Sequence, residues 1–357
     1  MAPRSDFLHF FYQTTNIDPD VLSLEVSMKT HFWPAIASAA ILLAGCHSNK
    51  QNGDVVSQQF VHKYGFGVTE QEWDERAQDG RVITMLKNGV KVTRSFENGQ
   101  LHGSTTYTFP HSSVIEKELV YDQGTLLKEV LHDAGGIPMR EDLYEFDDRT
   151  IITLWDALGS PLSIEEYVDE PLMEGKYYTP EHELEAQVEN GFGTRIKRDR
   201  SGLLLCKDRI EKGVIAERIS FHPNGQIQTV SRYQDYQLHG EQIKNTPSGK
   251  PLMVMQWNHG VLDGTKTIYR NGIKIAEVPY VNGLRQGTEL HYDDFGTLTA
   301  EIQWKGDKKH GISKFHSEEP TENEWFYKGQ AVSNQKFEML ENREKLIAEL
   351  TGSDSDR

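Results

Sequence analysis

The chain has only two cysteines, Cys46 and Cys206, among its 357 residues. Two cysteines close at most one disulfide, which excludes the disulfide-stapled class of small exported domains. Cys46 falls in an N-terminal segment that is predicted to be processed, so Cys206 is the one cysteine in the predicted folded domain. A single thiol in a folded domain is most often a small buried apolar group. We expect Cys206 to be such a group and not a reactive nucleophile.

Basic residues are also scarce. The sequence has 38 Lys and Arg against 54 Asp and Glu, a formal net charge of −16. This balance repels nucleic acid and anionic lipid surfaces, so we expect no nucleic-acid partner. Long apolar runs are missing beyond the N-terminal segment, and no later stretch is predicted to span a bilayer.

Catalytic signatures are missing as well. The chain has no His-Glu-x-x-His, no Gly-x-Ser-x-Gly, no Walker-type phosphate loop and no Cys-x-x-Cys. His102, His239 and His310 could suggest a metal row, but Asp263 and Gln286 fill the same place in neighbouring sequence repeats. A semi-exposed repeat position explains them better. We therefore predict a protein that is not an enzyme and that has no cofactor and no metal.

What the chain does have is a repeat. A large apolar or aromatic residue recurs about every 23 residues over most of the length, the mark of an architecture whose units pack on their neighbours. These column residues are Trp73, Phe96, Tyr121, Tyr144, Tyr167, Val188, Ile210, Tyr233, Trp257, Tyr280, Trp304 and Tyr327.

Turn signals occur twice in each period. Asn271-Gly272 and Asn282-Gly283 interrupt alternating apolar residues, and this is the strongest short hairpin signal because both residues tolerate the positive φ of a type I′ turn. Each repeat is therefore predicted to be two antiparallel strands, and no helical period appears inside the array. Further copies are Asn88-Gly89, Asn98-Gly99, Asn190-Gly191 and Asn224-Gly225.

The segment Phe96 to Gly103 defines a pattern, aromatic-x-x-Gly-x-x-x-Gly, which recurs from Tyr233, Trp257, Tyr280 and Trp304. This pattern resembles the MORN repeat, and most closely its variant in bacterial proteins of the YwqK-type family. The resemblance covers roughly residues 64–330. It is degenerate between Tyr121 and Ile210, where the second glycine is replaced by Lys128, Ile151, Arg195 and Glu217.

The resemblance implies an all-β fold: an elongated, twisted, nearly single-layer antiparallel sheet of about twelve 23-residue β-hairpin repeats, over residues 64–332. A six-bladed β-propeller is the rival architecture, because two periods would make one four-stranded blade.

Two further rows of residues refine the predicted sheet. A second aromatic row follows the column residues by 11 or 12 positions. A row of glutamates precedes the column residues by three positions, and this odd spacing on a strand places the glutamates on the face opposite the column. We expect one apolar and one acidic face. The second aromatic row is Tyr107, Tyr178, Phe221, Tyr269, Tyr292 and Phe315, and the glutamate row is Glu118, Glu141, Glu185, Glu277, Glu301 and Glu324.

The N-terminus carries a processing signal. Met28 and Lys29 precede an apolar stretch that ends in Leu43-Ala44-Gly45-Cys46, which has the order of a secretory signal peptide and resembles the bacterial lipobox. That resemblance implies cleavage after Gly45 and acylation of Cys46. An ordinary buried helix with a chance cysteine is the alternative. We predict a gene-model extension or disordered leader at 1–27, a lipoprotein signal peptide at 28–45, and a lipidated Cys46 with a flexible tether at 46–63.

The C-terminus changes style. Phe337, Leu340, Leu346, Ile347 and Leu350 recur at helical spacing over 333–350, which predicts an amphipathic helix that caps the last hairpin. A partner-binding helix is the alternative, and 351–357 is predicted to be a disordered tail.

These features favour a lipid-anchored protein of the bacterial envelope, with the outer membrane preferred over the inner. Its partners are predicted to be the membrane, through Cys46, and an unknown protein or glycan. The alternatives are an antitoxin-like partner of the YwqK type and an enzyme of unrecognised class centred on 122–197. The candidate binding surface comprises Tyr233, Trp257, Tyr269, Tyr280, Tyr292 and Trp304.

Overall fold

A computed structural model describes residues 54–76, 78–316 and 322–352, all within one compact unit, Asn52–Arg357. The predicted leader, signal peptide and Cys46, as well as 353–357 of the predicted tail, lie outside these residues.

The strands of the first half are β1 (Val55–His62), β2 (Gly67–Val68), β3 (Gly80–Leu86), β4 (Lys91–Glu97), β5 (Gln100–Thr108), β6 (Ile115–Asp122), β7 (Thr125–His132), β8 (Pro138–Tyr144), β9 (Arg149–Trp155), β10 (Pro161–Val168), β11 (Leu172–Tyr178), β12 (Leu184–Glu189), β13 (Phe192–Arg198) and β14 (Leu204–Glu211). Those of the second half are β15 (Val214–Phe221), β16 (Ile227–Gln234), β17 (Gln237–Leu238), β18 (Gly240–Asn245), β19 (Pro251–Asn258), β20 (Val261–Leu262), β21 (Gly264–Arg270), β22 (Ile273–Val281), β23 (Leu284–Arg285), β24 (Gly287–Tyr292), β25 (Leu298–Lys305), β26 (Lys308–Phe315), β27 (Glu322–Tyr327) and β28 (Gln330–Val332). The two helices are α1 (Glu70–Glu75) and α2 (Asn334–Gly352).

All 28 strands belong to one open antiparallel sheet. From β3 onward each long strand pairs with the long strands before and after it in the chain, and β1 pairs with β3. The predicted all-β sheet of hairpin repeats is confirmed, and the strands do not separate into propeller blades. Strand β1 lies within the stretch 46–63 predicted as a tether. Its polar residues suit the edge position that it occupies.

Two kinds of turn alternate along the sheet. Most turns that follow the column residues have two central residues at positive φ, as at Asn98 (φ 51) and Gly99 (φ 77), which is the predicted type I′ form. The turn after Tyr167 has one such residue, Asp169 (φ 57). At Asn88-Gly89 and Asn224-Gly225 only the glycine has a positive φ. These two belong to the other kind of turn, and the prediction of a type I′ turn is wrong there.

The second kind of turn is held by a side chain. Asp156 Oδ1 accepts hydrogen bonds from the backbone N–H groups of Leu158 and Ser160, both at 2.8 Å. An acceptor two and four residues before the amides it binds replaces backbone pairing in the loop. The same arrangement recurs at Asp133, Asp199, Thr179 and Asp293.

Tyr236 replaces glycine in a type I′ turn, and it is held at φ +62 while 70% exposed. A positive φ costs a bulky residue on the order of 1 kcal/mol. Glycine avoids this cost, but its greater conformational freedom in the unfolded chain offsets part of the gain in stability. We expect Tyr236→Gly to raise the free energy of unfolding by about 0.5–1 kcal/mol in denaturant titrations. The matched reverse change, Gly260→Tyr in the next repeat, should lower it, and equal signs for the two variants would contradict the explanation.

Most column residues lie opposite a glycine of the preceding strand, although Tyr167 lies opposite Thr150. Gly103 pairs with Tyr121, Gly264 with Tyr280, and Gly287 with Trp304. At these positions a large ring faces a residue without a side chain, which explains the second glycine of the repeat pattern. Gly311 pairs with Phe326, so Phe326 and not Tyr327 takes the last column position.

The first column residue also differs from expectation. Trp73 lies in helix α1 and not in a strand, and it is buried against Phe60 and Phe96. Thr69 caps α1 by accepting from the backbone N–H of Glu72, while the Glu72 carboxylate accepts from the N–H of Thr69. The sequence Thr-Glu-Gln-Glu is a capping box, a start signal that overrides the repeat period here.

The strands β10–β14, part of the degenerate middle of the array, curve so that turns about two repeats apart come into hydrogen-bonding contact. We name β10–β14 the closed segment. Between its turns, Ala157 N–H donates to Arg200 O at 3.1 Å and Leu172 N–H donates to Gly213 O at 2.9 Å. The buried cluster of the described residues lies here and consists of Leu172, Tyr177, Val188, Ile196 and Ile210.

Glycines make this bend possible. Gly175 lies opposite Val188, and Gly193 lies opposite Ile210. These two glycines therefore occupy the place opposite a column residue that the second glycine of the pattern holds in other repeats. A Cβ on Gly175 would lie 2.6 Å from the Tyr177 hydroxyl, and one on Gly193 would overlap the carbonyl oxygen of Gln187. The repeat is therefore shifted in this segment and not lost.

The predicted C-terminal helix is present as α2 and docks on β27 through one side. The Phe337 ring lies 5.1 Å from the Trp325 ring and 5.4 Å from that of His310, while Glu341 accepts from His310 Nε2 at 2.6 Å. The apolar residues predicted to form its buried side mostly do not. Leu346, Ile347 and Leu350 remain 48% to 65% exposed. Among the described residues, no helix is long and apolar enough to cross a membrane.

Candidate functional site

The six residues of the candidate binding surface are divided between the two faces of the sheet. Trp257, Tyr280 and Trp304 share the column face, because each lies opposite a glycine in register; Tyr233 holds the same position in its repeat. Tyr269 and Tyr292 belong to the other face. Tyr292 donates to Glu277 at 2.7 Å, and Glu277 is three residues before Tyr280 on one strand. The two groups cannot contact one flat partner together.

Cations cover two of these rings. The Arg285 guanidinium lies 3.5 Å from the centre of the Trp304 ring and is held there by Asp307 at 2.9 Å. Lys274 Nζ lies 4.6 Å from the centre of the Tyr292 ring. Among the described residues, no pair drawn from Tyr269, Tyr280, Tyr292 and Trp304 makes a ring-to-ring contact. At Trp304 and Tyr292 the neighbour of the ring is therefore a cation and not a second ring.

Partners neutralise part of the expected acidic face. Glu277 accepts from Lys274 at 2.9 Å, Glu185 from Arg198 at 2.7 Å, and Glu301 lies 3.8 Å from Lys314. Hydrogen bonds from Tyr292 and Lys274 hold the pKa of Glu277 below its usual range, against the opposing effect of partial burial. The expected acidic face is therefore partly neutralised, since four of its six glutamates have cationic partners that the prediction did not count.

The column face is not simply apolar either. In the closed segment it buries a charged network that the sequence did not suggest as a unit. Arg195 Nη2 and Arg218 Nε each donate to Asp208 at 2.8 Å. Tyr167 and Tyr177 donate to Glu165 at 2.7 and 3.0 Å. Arg195 Nε lies 4.0 Å from Glu165, so it joins the two halves across β10–β14.

The network is electrostatically balanced, with two carboxylates against two guanidiniums. Burial alone would raise the pKa of Asp208, but the hydrogen bond from Arg218 and the charge of Arg195 outweigh it and hold that pKa below its ordinary value. The Asp208 side chain is fully buried. A paired and enclosed arrangement of this kind favours a role in holding the closed segment together over one in chemistry.

Cys206 and Lys197 lie next to the network, opposite each other in β14 and β13. Burial raises the pKa of the Cys206 thiol and lowers that of the Lys197 ammonium. The thiolate is the reactive form of cysteine. Cys206 is therefore a buried thiol, as predicted.

We expect Cys206 in the folded chain to react with a soluble disulfide reagent at least about tenfold more slowly than free cysteine at pH 8, because burial and the raised pKa both limit the thiolate. The measurement is the colorimetric rate on the full chain with Cys46→Ser, so that Cys206 is the one thiol. Unfolding in denaturant should restore the rate of an exposed thiol. A fast reaction without denaturant would contradict this account.

The three histidines of the repeat position have three different surroundings. His102 lies 3.2 Å from both Glu97 and Asp122, the His239 ring lies 4.7 Å from that of His259, and His310 is held by Glu341 under α2. Among the described residues, no group of three or more His, Cys, Asp or Glu could hold a metal ion.

Two positions in the sequence carry a signal for the network. Arg195 replaces the second glycine of its repeat, and Asp208 lies two residues before a column residue, on the face expected to be apolar. A charge at both positions marks a repeat in which ion pairs replace apolar packing.

Comparison with known proteins adds no relative: no family model matches the chain, and a search of curated proteins gives no match.

Proposed function

We propose that the chain is a lipid-anchored protein of the bacterial envelope whose repeat sheet is a non-catalytic binding surface for a protein or a glycan. The observation that carries the proposal is the rows of half-buried aromatic and cationic side chains on an open sheet. Arg285 over Trp304 and Lys274 over Tyr292 present flat, amphipathic groups held in place by Asp307 and Glu277. Aromatic and arginine side chains are enriched at binding surfaces.

Tyr292 and Tyr269 test one face of this surface. Changing both to Ser removes two rings from one face, while Tyr280→Ser with Trp304→Ser removes two from the other. The probe is a detergent extract of envelopes from the source bacterium, passed over the immobilised chain, with retained protein and glycan identified by mass spectrometry. We expect one pair of changes to abolish retention at unchanged thermal stability. Retention unaffected by both pairs, or lost only together with folding, would reject the surface.

The anchor rests on Leu43-Ala44-Gly45-Cys46, and it has its own test. Acylation with two or three chains gives stable membrane attachment, whereas one chain binds weakly. We expect Cys46→Ser to abolish incorporation of radiolabelled fatty acid and to move the protein out of the membrane fraction. Cys206→Ser is the matched control and should change neither. Undiminished labelling of the Cys46→Ser protein would reject the anchor.

The alternative of an enzyme pointed to 122–197. Within that range Glu165 and Arg195 belong to the paired network of the closed segment, and this pairing favours the binding function over catalysis there.

A further inference from the structure

Helix α2 has two sides of opposite character, and the apolar one faces away from the sheet. The residues that contact the sheet or its last turn are Phe337, Glu341 and Glu344, spaced by four and three; Glu344 pairs with Lys328. On a helix of 3.6 residues per turn these three share one side. The opposite side carries the apolar residues.

That opposite side has the spacing of a coiled-coil seam. Met339, Arg343, Leu346 and Leu350 follow one another at intervals of four, three and four, and Ile347 extends the stripe on one flank. Met339, Leu346, Ile347 and Leu350 are 61%, 57%, 48% and 65% exposed. An apolar stripe with this spacing, turned away from its own domain, is suited to another helix.

The charges on the stripe indicate what that helix is. Arg343 occupies one seam position and Glu349 lies on its flank, and in the part of the chain that the structure describes neither has an ion-pair partner. In a parallel, in-register pair of identical helices the two Arg343 guanidiniums would meet across the seam. In an antiparallel pair Arg343 faces Leu346 of the second copy, and Glu349 of that copy lies about one turn away, within reach of its guanidinium.

We propose that α2 pairs with α2 of a second copy of this chain, antiparallel, about a two-fold axis. The pairing buries Met339 against Leu350, with Leu340 and Ile347 meeting on the flank, and it sets two Arg343–Glu349 ion pairs. A two-fold interface of this kind uses the same patch on both copies. It leaves both faces of each sheet free, so it neither requires nor uses the candidate binding surface.

The first test is the oligomeric state of the full chain in a nonionic detergent, by size exclusion with light scattering that separates protein mass from detergent mass. We expect a dimer that dissociates on dilution. Arg343→Glu or Glu349→Arg alone should weaken it by about fivefold or more, since each creates two like-charge contacts. The two changes together should restore it. Thermal stability should not move, because Phe337 still docks the helix.

The second test fixes the direction of pairing. Met339→Cys with Leu350→Cys should form a disulfide-linked dimer on mild oxidation, whereas Met339→Cys alone should not, since only a parallel pair brings the two 339 positions together. A monomer at all concentrations would overturn the proposal. So would a dimer that survives Leu346→Glu with Leu350→Glu, failure of the charge exchange to restore it, or a stronger cross-link from Met339→Cys alone.

Discussion

Asp208→Ala is expected to lower the free energy of unfolding by about 3–5 kcal/mol, because it leaves two buried guanidiniums without their carboxylate. Arg195 and Arg218 both donate to Asp208, and the carboxylate is fully buried. The measurement is a denaturant titration followed by circular dichroism and tryptophan fluorescence. Because repeat arrays couple mainly neighbour to neighbour, a variant weakened at its centre should also unfold in two steps.

An exposed ion pair provides the control. Asp294 lies 3.7 Å from Arg270, and both side chains are largely in solvent, so Asp294→Ala should change stability by less than about 0.5 kcal/mol. A loss below about 1 kcal/mol for Asp208→Ala would mean that the network is not what holds the closed segment.

The same carboxylate makes stability depend on pH. The folded-state pKa of Asp208 is depressed, so its contribution is present above the unfolded value of about 3.9 and is lost as pH falls through the lower folded value. The difference in stability between the wild type and Asp208→Asn should therefore be constant near neutral pH and shrink below about pH 4. A difference that persists unchanged in acid would contradict the ionised state.

Gly193→Ala is expected to cost about 3 kcal/mol or more. Gly193 has φ +145, and a Cβ there would overlap the Gln187 carbonyl oxygen and lie 2.9 Å from Val188 Cα. Both neighbours are backbone atoms of the adjacent strand, so relief requires the β12–β13 hairpin to open. Thermal and denaturant unfolding of the purified variant measure the loss.

Gly225→Ala is the matched control for backbone conformation without crowding. Gly225 has φ +81, and nothing lies within 4 Å of the place where its Cβ would be. Its cost should be limited to the left-handed conformation, about 1 kcal/mol. Equal losses for the two variants would show that the close approach at Gly193 is relieved without consequence.

The fold was predictable because the repeat couples sequence to register. A column residue, a tight turn after it and a glycine opposite the next column residue are present in most hairpins, so they recur and can be counted. The same reliance on the repeat explains why the local exceptions were not predicted. Trp73 keeps the period while Thr69 and Glu72 start a helix around it, and Phe326 takes the column by a register that adjacent aromatic residues cannot reveal.

The candidate site was predictable only in part. Composition identified the aromatic rows, but the face on which Tyr292 lies is set by register: Gly287 lies opposite Trp304, and Tyr292 is five residues further along the same strand, which places it on the other face. A one-residue shift moves a side chain to the other face. The network of Glu165, Arg195 and Asp208 joins strands that are far apart in sequence, and the repeat period carries no information on such contacts.

The closed segment also has a mechanical consequence for a chain pulled from its two ends. Hairpins on either side are held by the next strand and by hydrogen bonds between neighbouring turns, such as Gly260 N–H to Leu238 O, so they would unzip singly, each giving about 23 residues of length. The segment β10–β14 is fastened across its strands, by Leu172 to Gly213 at one edge and by Ala157 to Arg200 at the other. It would open as one unit and last. A tethered molecule could therefore extend at both flanks while the closed segment stayed folded.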